Sequence, residues 1–309
     1  MEFVKGMTWG WIGTRGQWKT TEAEHSMEEM VDRLGVNWTA VAFQAQQKTA
    51  HSTEINYKDS PVVTTEEIYW AIDKAKSLGL KICLKPVVNC TNGTWRAHIN
   101  FFDQDVPGEP SWTEWFNSYE EYILYYARMA EETKCEMFCI GCEMVQADKR
   151  DFEWRRLIKK VREVYSGTIT YNCDKYQEDR LTWWDAVDMI SSSGYYPVGT
   201  WDKQIKRIEK VVKEQNKPFF FMEAGCPSRT GSSNAPNDWN HVGDVNEEEQ
   251  NDYYKEMFEK LDSVPWFSGY ALWDWPAKLY NRDTASKNTD YCVYGKKAEE
   301  TIKYYYSKK

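Results

Sequence analysis

The chain has 309 residues, 41% of them hydrophobic, with sixteen Trp and twenty Tyr, so it can bury a substantial core and is long enough for one α/β barrel. A net charge of −9 with no stripe of Lys and Arg argues against a nucleic-acid partner. No apolar run reaches the roughly 18 residues needed to span a membrane, and the start from Met1 to Gly6 lacks the basic, then apolar, pattern of a leader, so a cytoplasmic location is expected, or secretion if a leader was removed.

A first strand is predicted over residues 3–8, followed by a helix whose apolar face is Met27, Met30, Val31 and Leu34 and which Gly35 ends. Strand 2 covers residues 38–43, with a long connection over 44–64. The next helix shows Ile68, Ala71, Ile72 and Ala75 on one face and a stop at Gly79. Strand 3 covers residues 81–87 and a second long connection covers 88–112. Strand 4 covers 137–141, and Trp154, Leu157, Ile158 and Val161 mark the helix after it. Strands 5 and 6 fall at 168–171 and 189–192, and Ile205, Ile208 and Val212 mark the next helix. Strand 7 covers 219–222, with a third long connection over 224–246, and Tyr254, Met257, Phe258 and Leu261 form a helical face. Strand 8 covers 269–272, and a last helix starts near Lys297. Eight strands alternating with helices predict a parallel sheet closed into a (β/α)8 barrel, with residues 1–309 as a single catalytic domain. The three long connections, rich in Asn, Gly, Asp, Ser and Trp, then lie on the C-terminal face where barrels build their clefts.

Two of the apolar runs end in glutamate. They are Met137-Phe138-Cys139-Ile140-Gly141-Cys142-Glu143 and Phe219-Phe220-Phe221-Met222-Glu223-Ala224-Gly225. Carboxylates at the ends of strands 4 and 7 face each other across the mouth of a small barrel, the arrangement a glycosidase needs for one acid and one nucleophile. The competing reading caps a following helix or pairs each with a Lys; two such residues on these strands favour the catalytic reading. Further candidates sit at other strand ends. Trp9 and Trp11 follow strand 1, Lys85 and Asn89 lie at the end of strand 3, Asn172 ends strand 5, and Trp273 ends strand 8. Aromatic faces are surfaces on which sugar rings stack, although most aromatics serve the core. Lys85 could equally pair with a buried acid, because lone buried lysines are rare.

These residues resemble a known group. The placement of Glu143 and Glu223 is similar to that of clan A glycoside hydrolases. Lys5-Gly6-Met7-Thr8-Trp9-Gly10, Leu84-Lys85-Pro86, Ile140-Gly141-Cys142-Glu143-Met144 and Met222-Glu223-Ala224-Gly225 together resemble family 113, the β-mannanases, over nearly the whole chain. The resemblance implies a retaining hydrolase of β-1,4-mannan or mannooligosaccharides, a monomer needing neither metal nor organic cofactor. Glu143 would be the acid/base and Glu223 the nucleophile, with Tyr196 as the clan's strand-6 tyrosine and Trp273 as its strand-8 tryptophan. One position departs from the clan, which mostly places Asn before the acid/base to bond the sugar 2-OH. Here it is Cys142, a weak donor. Mannose carries that hydroxyl axially, so the departure counts more against glucan substrates than against mannan.

Other readings remain open at this stage. The chain could act on another β-glycan, or be a carbohydrate-binding relative without catalysis. The spacing of Cys135, Cys139 and Cys142 matches that by which radical S-adenosylmethionine enzymes hold an iron–sulfur cluster. Cys139 and Cys142, three residues apart on one strand, are expected on opposite faces of the pleat, which disfavours convergence. The four histidines lie near no Cys pair, so zinc spacing is absent. The eight cysteines are expected to be mostly free thiols in a reducing compartment.

Overall fold

Eight apolar runs lie side by side, all parallel, and the last pairs with the first to close a barrel in the order β1 to β8. The computed structural model describes residues 2–309. The strands are β1 Val4–Trp9, β2 Trp38–Gln47, β3 Lys81–Cys90, β4 Met137–Cys142, β5 Thr168–Cys173, β6 Met189–Ser193, β7 Phe219–Glu223 and β8 Phe267–Trp275. All eight expected strands are present, and most run further toward their C-terminal ends than their apolar cores suggest. Ladder hydrogen bonds carry β2 and β3 on to Gln47↔Cys90, through polar residues that a hydrophobic criterion leaves out.

Among the described residues seven α-helices surround the barrel: α1 Thr21–Leu34, α2 Thr65–Ser77, α3 Trp112–Glu132, α4 Asp151–Val164, α5 Trp201–Gln215, α6 Glu247–Leu261 and α7 Lys297–Ser307. Gly35 and Gly79, the expected stops, take left-handed φ values of 66° and 79°. The regular alternation fails between β5 and β6, where only a 3₁₀ turn, Trp184–Ala186, stands in for a helix. Two buried indoles fill that space. Trp183 stacks on Trp154 of α4 at 5.0 Å and meets the Tyr171 ring at 4.9 Å. The longest helix, α3, is absent from the periodic series above. Its buried face is aromatic, with Trp115, Tyr119, Tyr122 and Tyr126 at helical spacing, and Ser111 and Glu114 close its start as a reciprocal capping box. That four-residue signature was readable in the sequence.

The core has two parts, as strand alternation requires. Inside the barrel lie Val4, Trp38, Ala40, Cys83, Met137, Cys139, Met189, Phe220, Met222 and Ala271. A larger layer fills the space between sheet and helices. Above the interior layer, at the C-terminal ends of the strands, polar side chains replace apolar ones. No helix among the described residues is long and apolar enough to cross a membrane.

Candidate active site

Glu143 follows β4 directly, in a left-handed backbone conformation with φ 50°. Its N–H donates to Asn172 O at 2.8 Å, and the next N–H, of Met144, donates to the Tyr171 hydroxyl at 2.9 Å, so the turn off the strand is pinned on both sides. Glu223 is the last residue of β7. Glu143 and Glu223 are 7% and 3% exposed and line one cavity of about 530 Å³ at the mouth of the barrel. That volume is within the usual range of a small-molecule site.

Two hydrogen-bonded paths join the carboxylates. The first runs below the cavity. Lys85 Nζ donates to Glu223 Oε1 and, at 2.8 Å, to Asn172 Oδ1. Asn172 Nδ2 donates to Ser193 Oγ at 3.0 Å, and Ser193 Oγ donates to Glu143 Oε1 at 2.6 Å. The second path is a guanidinium and a thiol. Arg96 Nη2 lies 2.9 Å from Glu143 Oε2 and 3.4 Å from Cys142 Sγ, whose thiol lies 3.4 Å from Glu223 Oε1. The Tyr195 hydroxyl completes the surroundings of Glu223, donating to Oε2 at 2.9 Å.

These contacts set the charge on Glu223. Burial alone would push its pKa up, but the Lys85 ammonium, the Arg96 guanidinium and the Tyr195 hydroxyl outweigh burial and hold it below the ordinary glutamate range. Lys85 and Arg96 are buried too, which disfavours their charged forms, yet the surrounding anionic groups more than compensate and raise both pKa values. Burial also raises Cys142 well above the usual thiol range, so it enters as a neutral S–H. Asp174, on the cavity wall after β5, is pushed up to about 7 by burial and by the charge of Glu143.

The walls are aromatic. Trp273 meets Trp11 at 5.3 Å and Trp239 at 6.1 Å, both edge-on, and Trp95 stands across the cavity on the loop after β3. Two buried carboxyl groups facing one cavity with indole walls are the parts of a sugar-cleaving site. Comparison with protein families agrees: Glycoside Hydrolase Family 113 matches over residues 7–296.

The chain belongs to glycoside hydrolase family 113.

Among solved family 113 structures, two of a β-1,4-mannanase, one of them a complex, are 56% identical to this chain, with 100% of each chain covered and a TM-score of 0.99. The family 113 β-mannanase of Alicyclobacillus acidocaldarius, in complex with ManMIm, is 43% identical over 100% of this chain and 98% of its own, with a TM-score of 0.97. A β-D-glucuronidase of Dictyoglomus thermophilum is 16% identical over 100% of this chain and 51% of its own, at a TM-score of 0.69, and shares the fold alone. No curated protein matches the chain.

In this family 113 chain the structure brings Glu143, Glu223, Lys85, Cys142, Asn172 and Trp273 together, with Lys85, Cys142 and Asn172 behind the cavity rather than on its wall. Two expected residues lie elsewhere. Trp9 is fully buried in the sheet–helix layer, its ring 4.9 Å from Trp18 and its Nε1 bonded to Ser26 Oγ at 3.3 Å; Trp11, two residues on, lines the cavity instead. Tyr196 points away from the cavity to Glu178, and it is Tyr195 whose hydroxyl donates to Glu223. Alternation along β6 and its continuation is unbroken, with Met189, Ser193 and Tyr195 facing in and Ile190, Ser192 and Tyr196 facing out; the extra residue at the Ser192/Ser193 register shift belongs to β7, where Met222 and Glu223 both turn inward.

A similar shift between Cys139 and Cys142 on β4 overturns the expectation that these two face opposite ways. Cys139 lies in the barrel interior, and Cys142 turns inward as well, to the carboxylate level. Cys135 sits apart beside Thr133, 3.3 Å from its hydroxyl, so the three thiols have no common focus. All eight cysteines are buried and unpaired.

Arg96, Ser193, Tyr195 and Trp239 were not among the expected site residues. Arg96 comes from a 3₁₀ turn in the long loop after β3, 47 residues before Glu143, and nothing local marks it. Ser193 and Tyr195 flank the end of β6 and needed only the correct phase. Trp239 lies in the long loop after β7, whose composition did point to the cleft.

Proposed function

We propose that this hydrolase cleaves β-1,4-mannosidic bonds of mannan or mannooligosaccharides by double displacement, with Glu223 as nucleophile and Glu143 as acid/base. The observation that carries the assignment is the set of donors that converges on Glu223. Glu223 accepts from an ammonium, a thiol and a phenol and is kept ionised, as attack on the anomeric carbon requires. Glu143 lies across the cavity, where a protonated carboxyl can reach the glycosidic oxygen.

In the first step the Glu223 carboxylate bonds to the anomeric carbon as the glycosidic C–O bond breaks, and Glu143 gives its proton to the departing oxygen. In the second, Glu143 takes a proton from water, whose oxygen attacks the same carbon and releases Glu223. Each step inverts the centre, so the product keeps the β configuration. The mannan substrate is supported by the β-1,4-mannanase relatives and by Cys142. Its thiol is already engaged by Glu223 and Arg96, which leaves no amide at this position for an equatorial 2-OH. The eight unpaired cysteines support a reducing compartment, the cytoplasm, and the whole chain is read as one monomeric catalytic unit.

Mannohexaose followed by proton NMR tests this reading. Hydrolysis with the β-anomer appearing first is expected; no hydrolysis would remove the substrate assignment, and an α-anomer first would remove double displacement. The same digest distinguishes internal cleavage, which yields mixed fragments, from steady release of mannose.

A second test concerns Trp273. It belongs to a small cluster with Tyr195, Tyr291 and Trp11, apart from the main core. Trp273 is nearly fully buried, so Trp273→Ala should melt lower than the parent, yet still fold because the main core is untouched. Loss of a face under the reacting sugar should lower kcat and kcat/KM by roughly ten- to hundredfold, by analogy with base stacking. A variant that unfolds, or one that keeps full activity, would contradict the platform role.

A further inference from the structure

The segment from Ser192 to Tyr196 divides its side chains between the two sides of the barrel wall. Ser193 and Tyr195 face in: Ser193 Oγ donates to Glu143 Oε1 at 2.6 Å and the Tyr195 hydroxyl to Glu223 Oε2 at 2.9 Å. Ser192 and Tyr196 face out, and both donate to one oxygen, Oε1 of Glu178, with Ser192 Oγ at 2.8 Å. Between them Gly194 is held at both ends of its peptide, its N–H donating to Glu223 O at 2.6 Å and its carbonyl accepting from the Tyr253 hydroxyl at 3.0 Å. A five-residue strip thus touches both catalytic candidates on one face and a single carboxylate on the other.

Glu178 is fully buried behind the strip, on the connection that replaces a helix between β5 and β6. Its charge is met by Arg207 of α5, whose Nη2 lies 2.7 Å from Glu178 Oε2 and 3.1 Å from the Tyr196 hydroxyl oxygen. A buried ion pair adds little net stability compared with apolar residues of the same size, because desolvation offsets the attraction. Its directional bonds do fix where the attached groups sit.

We propose that Glu178, anchored by Arg207, is a positioning residue for both carboxyls of the active site: by holding Ser192 and Tyr196 it sets where Ser193 and Tyr195 present their hydroxyls to Glu143 and Glu223. The inference rests on the roles given above to those two glutamates. Glu178 touches no substrate. It acts through the strip, and one displacement there moves donors to acid/base and nucleophile together. Misplacement of reacting groups by about an ångström is enough to cost large factors in rate.

Tyr196→Phe tests this with the full chain on mannohexaose, since it removes one hydroxyl and leaves the ring in place, while Ser192 and Arg207 still satisfy Glu178. The expected result is a kcat lower by about tenfold with KM within about twofold, measured on protein that melts cooperatively. Ser192→Ala should act in the same direction with a smaller loss, and it decides the matter if Tyr196→Phe does not fold. A purely structural role would lower the melting temperature and leave kcat per folded molecule unchanged. That outcome, or parental kcat in both variants, overturns the inference. If the parent itself fails to hydrolyse mannohexaose, it is the functional reading that falls.

Discussion

Glu223→Gln is expected to abolish turnover, with kcat lower by roughly 10⁴-fold or more, because an amide cannot form the glycosyl ester on which double displacement depends. The surroundings of Glu223 add a second expected effect. Lys85 is fully buried, and its only carboxylate partner among the described residues is Glu223. The amide oxygen can still accept its hydrogen bond, but the charge is no longer balanced, and removing one partner of a buried pair typically costs about 3–5 kcal/mol. The variant should therefore melt lower than the parent, and its activity must be read at a temperature where it is folded. Replacing both residues, as Lys85→Met with Glu223→Gln, should recover part of the lost stability and none of the activity. In the parent enzyme a 2-fluoromannosyl inactivator should attach to Glu223, seen as a mass increase on the peptide that contains it. Attachment to another carboxylate would overturn the nucleophile assignment whatever the kinetics of the variant.

Glu143→Ala should separate the two steps. Substrates with sugar leaving groups need a proton and should slow by about 10²- to 10⁴-fold, the usual worth of a positioned general acid. A dinitrophenyl mannoside, whose leaving group needs no proton, should still form the covalent intermediate at a rate near that of the parent. Water then attacks slowly without a base, so the intermediate accumulates. Azide, which needs no base, should speed its breakdown and yield a β-mannosyl azide. The contacts of Glu143 bear on this experiment too. Arg96 loses its carboxylate partner but keeps Cys142 O at 3.0 Å and Asn89 Oδ1 at 2.9 Å, which hold the guanidinium in the cavity wall. Slow substrates of both kinds with no azide effect, or an azide product of inverted configuration, would count against Glu143 as acid/base of a retaining enzyme.

Several parts of this molecule were legible because they are written in local periodicity. Apolar runs such as Phe219–Glu223 mark strands buried on both faces, and Met27, Met30, Val31 and Leu34 mark a helical face. A carboxylate that ends such a run must lie on the C-terminal rim, so Glu143 and Glu223 could be placed before any contact was known. The helix α3 escaped because its buried face is more aromatic than aliphatic, although Ser111 and Glu114 announce its start.

What lay beyond that reading has two physical origins. Strand alternation has a period of two, so one extra residue exchanges the faces of everything that follows it. The extra residue between Cys139 and Cys142 does this on β4, and the one between Phe221 and Glu223 does it on β7, turning Cys142 and Glu223 inward. Counter-charges, in turn, come from far along the chain: Lys85 reaches Glu223 across 138 residues and Arg96 reaches Glu143 across 47. The sequence by itself determined an eight-stranded barrel with two opposed carboxylates on its rim, since both follow from short-range patterns of apolar and polar residues. Which hydroxyl, thiol and cation each carboxylate meets, and therefore that Glu223 is held ionised, was decided only when ring closure and the two register shifts brought those side chains to one level of the barrel.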